Sequence, residues 1–172
     1  MMTDGASHSG RDGPQDDFRS ALLGLIPHLR AFARGLCGRP DLADDLVQET
    51  VMKAWAARER YEAGTNMKAW TFRILRNHFL NEIRRSSRMT EMDEGAEDLH
   101  LVAAPAQEDA LHVSDLQSAL YRLPKERREA LLLVGAGGFS YEEAAQVCGV
   151  PVGTIKSRVA RGRAQLMAIL GE

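Results

Sequence analysis

The chain has 172 residues, 44% of them hydrophobic and 27% charged, with a formal net charge of −2, enough for one ordinary domain or two small ones. No apolar run approaches the roughly 20 residues that cross a bilayer, and the opening MMTDGASHSGRDGPQDD lacks the apolar core of a signal peptide; the reading is a cytoplasmic protein with no membrane partner. Cys37 and Cys148 sit in no spacing motif and read as buried free thiols, while the five histidines form neither H-E-x-x-H nor a partner for C-x-x-C. No metal, cofactor, small-molecule substrate or catalytic residue is therefore expected.

The net charge hides a strong segregation. Residues 1–17 carry 1 basic and 4 acidic groups, residues 18–88 carry 13 and 7, residues 89–117 carry none and 8, and residues 118–172 carry 8 and 5. Two basic blocks flank an acidic one, and such blocks are the electrostatic footprint of a nucleic-acid partner.

In chain order, residues 1–16 are rich in Gly, Ser and Asp and read as a disordered tail. Phe18, Leu22, Leu25 and Ile26 then recur at helical spacing, with Pro27 marking a break or restart before Leu29, Phe32, Ala33 and Leu36. After a Gly38-Arg39-Pro40 turn, Asp41 is placed to cap a helix whose Leu42, Leu46, Val47, Thr50, Ala54 and Trp55 form a core stripe. Asp44, Asp45, Gln48, Glu49 and Lys53 fall outside that stripe. The loop RERYEAGTN bends at Gly64, and the following helix, Met67 to about Arg85, interleaves Trp70, Phe72, Ile74, Phe79 and Ile83 with Lys68, Arg73, Arg76, Arg84 and Arg85. Rings and cations so interleaved can stack bases and track phosphates; taken alone, rings at helical spacing more often belong to a core. Residues 89–115 hold eight acids and no base and read as a flexible linker. Leu116, Leu120 and Leu123 begin another helix, Pro124 interrupts, and KERREALLLVGA forms a further one ended by Gly137 and Gly138.

The most legible stretch is FSYEEAAQVCGVPVGTIKSRVARGR, residues 139–163. Ser140 and Glu143 have the spacing of a capping box, Ala144 and Ala145 are small enough for a close helix crossing, and Gly149 supplies a positive-φ turn before Pro151 in a first helical turn. In the second helix Ile155, Val159 and Leu166 share one face, and Thr154, Ser157, Arg158 and Arg161 share another. That is a helix-turn-helix with hydroxyls and guanidinium groups facing outward, a set able to contact base edges and phosphates of duplex DNA. Gly162 stands inside this helix where a better helix former is expected. The fold class is all-α, two small helical domains joined by a flexible acidic linker, with boundaries at 17–88, 89–115 and 116–172.

These blocks resemble the extracytoplasmic-function (ECF) sigma factors of bacteria. DLADDLVQETVMKAW is similar to the helix of the sigma-two domain that docks on core RNA polymerase, NMKAWTFRILRNHFLNEIRR to the segment that melts and reads the promoter −10 element, and LPKERREALLLVGAGGFSYEEAAQVCGVPVGTIKSRVARGR to the sigma-four domain that reads the −35 element. The last phrase further resembles the general-stress, EcfG-type subgroup, in which a NepR-like anti-sigma factor holds the sigma factor inactive. The resemblance implies polymerase contacts at Asp44, Asp45, Gln48, Glu49 and Lys53. It implies −10 contacts at Arg60, Tyr61, Asn66, Lys68, Trp70, Arg73, Arg76, Asn77 and His78. It implies −35 contacts at Thr154, Lys156, Ser157, Arg158, Arg161 and Arg163. The implied partners are core RNA polymerase, promoter DNA and an anti-sigma factor. The alternative is a sigma-like interaction protein that titrates an anti-sigma factor without starting transcription; a plain helix-turn-helix repressor would leave the DDLVQET helix and the basic aromatic helix unexplained.

Overall fold

The computed structural model describes residues 13–92 and 111–171, all of whose regular elements are helical. Helix α1 spans Pro14–Cys37, α2 spans Pro40–Ala56 and α3 spans Met67–Met92; after the undescribed segment come α4 (Leu111–Tyr121), α5 (Lys125–Leu131), α6 (Tyr141–Cys148) and α7 (Val152–Leu170). A short 3-10 turn at Arg58–Arg60 follows α2, and a π-helical turn at Leu132–Ala136 continues α5. Helix α1 begins inside the expected tail, and α3 and α4 reach into the expected linker from either side. The tail and linker readings at residues 1–12 and 93–110 lie outside the described residues.

Pro27 does not break α1. It lies on the exposed side of a continuous helix whose Leu22, Leu29, Phe32, Ala33 and Leu36 are all buried. The hydrogen bond that proline removes is thus lost on the face where water can serve the freed carbonyl, while packing on the other face keeps the axis intact. Asp41 does not cap α2 either. Arg39 is the N-cap and Pro40 the first helical residue, and Asp41, one step inside, accepts from Arg39 Nη2 at 2.9 Å. That bond and the charge behind it lower the Asp41 pKa.

The two groups of helices share one apolar core. Phe72 of α3, fully buried, lies 5.0 Å from the Phe32 ring of α1 and 4.9 Å from the Phe139 ring just before α6. It therefore packs against both groups of helices at once. Two close approaches fasten the halves further. A Cβ on Gly35 would come within 2.6 Å of Leu132 Cδ2, and one on Gly38, at φ +70°, within 2.4 Å of the Tyr121 ring. The Tyr121 hydroxyl donates to the carbonyls of Arg34 (2.6 Å) and Gly35 (3.2 Å) at the C-terminal end of α1, where Arg34 also accepts from the Gly38 N–H. Both cysteines are buried free thiols, and burial pushes the Cys148 thiol up to about 12.

Gly162 also finds its reason here. It is buried where α7 crosses α5, and a Cβ there would meet Leu131 Cδ1 at 3.0 Å and Cγ at 3.1 Å. Close helix approach, rather than helix propensity, decides that position.

Candidate promoter and polymerase interfaces

The helix-turn-helix forms as its spacing demands. Ser140 Oγ accepts from the Glu143 N–H at 3.1 Å, and Glu143 Oε2 accepts from the Ser140 N–H at 2.8 Å, a complete capping box. Gly149 closes α6 in the left-handed region at φ 66°, and Pro151 in extended conformation is the N-cap of α7, one residue before the helix rather than within it. Ile155, Val159 and Gly162 face inward; Leu166 is only half-buried. Lys156, Ser157, Arg161 and Arg163 are exposed, and Thr154 and Arg158 are half-buried. By the 3.6-residue period, Thr154, Ser157, Arg158 and Arg161 run along one side of α7, while Lys156 and Arg163, seven residues apart, share the opposite flank. Lys156 Nζ lies 6.0 Å from the centre of the Tyr141 ring, which it shields from one side.

In the first half, the loop before α3 braces itself. The Tyr61 hydroxyl donates to the Thr65 carbonyl at 2.7 Å, the Thr65 hydroxyl donates to the Glu62 carbonyl at 2.7 Å, and Gly64 turns at φ +87°. Asn66 then caps α3, its Oδ1 accepting from the Ala69 N–H at 2.9 Å. Behind the loop, Phe18 of α1 meets the rings of Trp55, Tyr61 and Trp70 at 6.2, 5.6 and 6.2 Å. Tyr61 and Trp70, 5.2 Å apart, are half-buried, so each offers part of a ring to the surface and the rest to this cluster.

The remaining −10 candidates divide sharply. Arg60, Arg73 and Asn77 are exposed. Asn66, Lys68 and Arg76 instead contact the second half of the chain. Asn66 Nδ2 donates to Glu143 Oε1 at 2.7 Å, and Lys68 Nζ donates to the Gly137 carbonyl while sitting 4.8 Å over the Phe139 ring. Arg76 Nε donates to Glu129 Oε1 at 2.5 Å, with Nη2 at 3.4 Å from Oε2. Glu129 is 3% exposed, so this pair is withdrawn from water. His78 Nδ1 lies 2.8 Å from Lys53 Nζ on α2; burial first, and the Lys53 charge second, hold the His78 pKa below its usual value. A neutral His78 accepting from the Lys53 ammonium satisfies both groups.

On α2, Asp44, Asp45, Gln48, Glu49 and Lys53 are all exposed, outside a stripe of buried Ala43, Leu46, Val47, Thr50 and Ala54. Asp44 lies 3.8 Å from Arg30 and 4.0 Å from Arg34 of α1, with all three side chains more than half exposed. Trp55 departs from the expected core stripe: it is 38% exposed, and with Leu22, Leu23 and Val51 it lines an open groove of about 480 Å³ between α1 and α2. Helical spacing marked Trp55 as apolar but not which neighbour it faces. Glu129, the one buried acid among the described residues, went unnoticed because its partner Arg76 is 53 residues away. Among the described residues no helix is long and apolar enough to cross a membrane.

Helices throughout the described residues, a capped helix-turn-helix, an acidic helix face and a basic aromatic helix together fit a DNA-binding protein of the transcription machinery. Comparison with known families agrees: Sigma-70 region 2 matches residues 24–89 and Sigma-70 region 4 matches residues 114–166. The protein named ECF RNA polymerase sigma factor EcfG from Rhodopseudomonas palustris is 48% identical over 155 residues, which cover 90% of this chain and 86% of that protein. The chain therefore belongs to the ECF RNA polymerase sigma factors. Among solved structures, the sigma factor RpoE in complex with the anti-sigma factor NepR from Bartonella quintana is 46% identical. It superposes with a TM-score of 0.82 over 90% of this chain and 97% of that one. CnrH in complex with the cytosolic domain of CnrY is 29% identical, with a TM-score of 0.70 over 92% of this chain and 90% of that one.

Proposed function

We propose that the chain is an active sigma factor that binds core RNA polymerase through the exposed acidic face of α2, reads the −35 element with α7, and reads and helps melt the −10 element with α3 and the loop before it. The observation that carries this reading is the joint presence, in one chain, of a basic outer edge on α7 and, on α3 and the loop before it, exposed Arg60, Arg73 and Asn77 together with a half-buried Trp70. The first set suits duplex DNA, where guanidinium groups and hydroxyls contact base edges and phosphates. The second suits unstacked single strands, since an extruded base recovers its unstacking cost from rings and cations. In this reading the chain contributes promoter choice and strand opening from the cytoplasm and performs no catalysis of its own.

Likeness to RpoE bound to NepR supports a NepR-like anti-sigma factor as the controlling partner, and likeness to the EcfG of R. palustris supports general stress genes as the targets. The competing reading, a sigma-like protein that only titrates an anti-sigma factor, draws on the contacts that engage Asn66, Lys68 and Arg76. Run-off transcription with purified core polymerase, on a promoter bearing a GGAAC-like −35 element, separates the two. A specific transcript is expected; polymerase that starts nothing with this chain, while the chain still captures the anti-sigma factor, would reverse the choice.

A further inference from the structure

Resting on the assignment of α3 and the loop before it to single-stranded promoter DNA, we propose that Phe18, on the second turn of α1, is a positioning residue for that reading. It touches no DNA; it backs the rings of Tyr61 and Trp70 and fixes the angle at which they meet an extruded base.

The apolar core around Phe72 includes none of Phe18, Trp55, Tyr61 and Trp70 among its described residues. Phe18 is half-buried between exposed Asp17 and Arg19, one turn before Leu22, the first residue of α1 that is buried. A ring at that place does not serve the main core, yet it meets three others: Trp55 from the last turn of α2, Tyr61 from the loop and Trp70 from the first turn of α3. Its interplanar angles with them, 48°, 58° and 71°, are the tilted and edge-on arrangements that ring quadrupoles favour over a flat sandwich. Each contact thus has a preferred direction as well as a preferred distance. The Arg58 guanidinium, 4.6 Å over the Trp55 ring, closes the cluster on the α2 side.

The loop lacks any other anchor of this kind. Among the described residues, the side-chain hydrogen bonds of residues 58–65 reach only three or four positions along the chain: Arg58 donates to the Trp55 carbonyl, the Tyr61 hydroxyl to the Thr65 carbonyl and the Thr65 hydroxyl to the Glu62 carbonyl. Such bonds shape the loop without setting its place on the molecule. Phe18 sets it: by touching Tyr61 and Trp70 together it holds their 5.2 Å spacing and 46° tilt across the bend at Gly64. A base leaves its stack only when a pocket recovers the unstacking cost, and a pocket that must first be ordered recovers less. Phe18 supplies that order before the strand arrives.

The test uses holoenzyme, the full chain with core polymerase, on promoter fragments carrying 2-aminopurine singly at each −10 position, whose fluorescence rises as the base unstacks. Phe18→Leu keeps an apolar side chain and removes the ring; Phe18→Tyr keeps the ring. Phe18→Leu is expected to slow the rise by at least about fivefold, the lower end of what loss of one base–aromatic stack costs. Core capture, and binding to a fragment bearing only a GGAAC-like −35 element, are expected to stay at wild-type values, and Phe18→Tyr is expected to restore the rate. If Phe18→Leu fails to fold by circular dichroism, Phe18→Met, flexible and without a ring, takes its place. A rise as fast as wild type without the ring overturns the proposal. Loss of core capture or −35 binding in step with the rate also overturns it, since that marks a purely structural role, as does failure of Phe18→Tyr to restore the rate. Trp70→Ala keeps the two assumptions apart. If it abolishes the rise while loss of the Phe18 ring does not slow it, only the role of Phe18 falls; if wild type gives no rise, or neither change affects it, the −10 assignment of α3 falls too.

Discussion

The two surfaces proposed to read DNA are built from the same side-chain types yet stand in different states. On α7, Lys156, Ser157, Arg161 and Arg163 are exposed. On α3 and the loop before it, Asn66, Lys68 and Arg76 are bonded to the chain's own second half. The difference follows from what each helix must pack. Helix α7 buries one narrow face, Ile155, Val159 and Gly162, against its own half and leaves the opposite side to solvent. Helix α3 buries Ala69, Phe72, Leu75 and Phe79 in a core shared by both halves, so polar groups at the edge of that stripe meet oxygens of the second half: carboxylates for Asn66 and Arg76, a backbone carbonyl for Lys68. A reading surface at the edge of a shared core is thus coupled to the rest of the molecule, and one opposite a local core is not.

That coupling is most directly broken at Phe72. Replacing it with Ala is expected to cost about 3 to 5 kcal/mol, the range for a fully buried aromatic, and to lower one cooperative unfolding transition rather than the melting of one half. Calorimetry and circular dichroism during thermal unfolding check this. Two separated transitions in wild type would show that the halves fold independently despite the ring contacts.

The exposed surface is probed next. Arg158→Ala or Arg161→Ala is expected to cost about 1 to 3 kcal/mol in promoter binding by the holoenzyme if the side chain reads a base, with preference relaxed at one −35 position. A residue that only holds phosphate would weaken all promoters alike and reduce the salt slope by about one. Unchanged affinity for both variants would remove α7 from DNA.

A smaller effect sharpens the comparison with the face of α2 proposed to dock polymerase, which is charged and exposed but of opposite sign. The double change Asp44→Arg and Asp45→Arg is expected to weaken capture of core polymerase while shifting folding stability by less than about 0.5 kcal/mol, because exposed charges set partner choice more than stability. A pull-down with unaltered core affinity would reduce this face to a solvated one.

The smallest effect concerns His78, where the two proposed surfaces touch. Its folded pKa is lowered from 6.5, chiefly by burial and then by Lys53, so the folded state binds the proton less readily than the unfolded chain. The contribution of the Lys53–His78 contact is therefore present above about pH 6.5 and lost as pH falls through the lowered midpoint. An NMR titration is expected to place that midpoint below the usual histidine value, with Lys53→Ala moving it upward. A midpoint at or above the usual value in wild type contradicts a neutral, accepting His78.

What the sequence determined by itself is what short spacing determines. Ser140 and Glu143 are three residues apart, and a helix brings that pair together whatever surrounds it; Gly149 meets a local demand for positive φ. The outward row Asp44, Asp45, Gln48, Glu49 and Lys53 follows from the 3.6-residue period alone. Tertiary structure decided the rest. Pro27 sits inside a helix because burial on the opposite face outweighs one lost hydrogen bond, and Trp55 lines an open groove between α1 and α2, with Phe18 and Arg58 beside its ring, instead of entering the core. Gly162 is required by Leu131, thirty-one positions away, and Arg76 is held by Glu129 across fifty-three. No periodicity encodes such pairs, since the contact energies that select them exist only after helices distant in sequence have packed together.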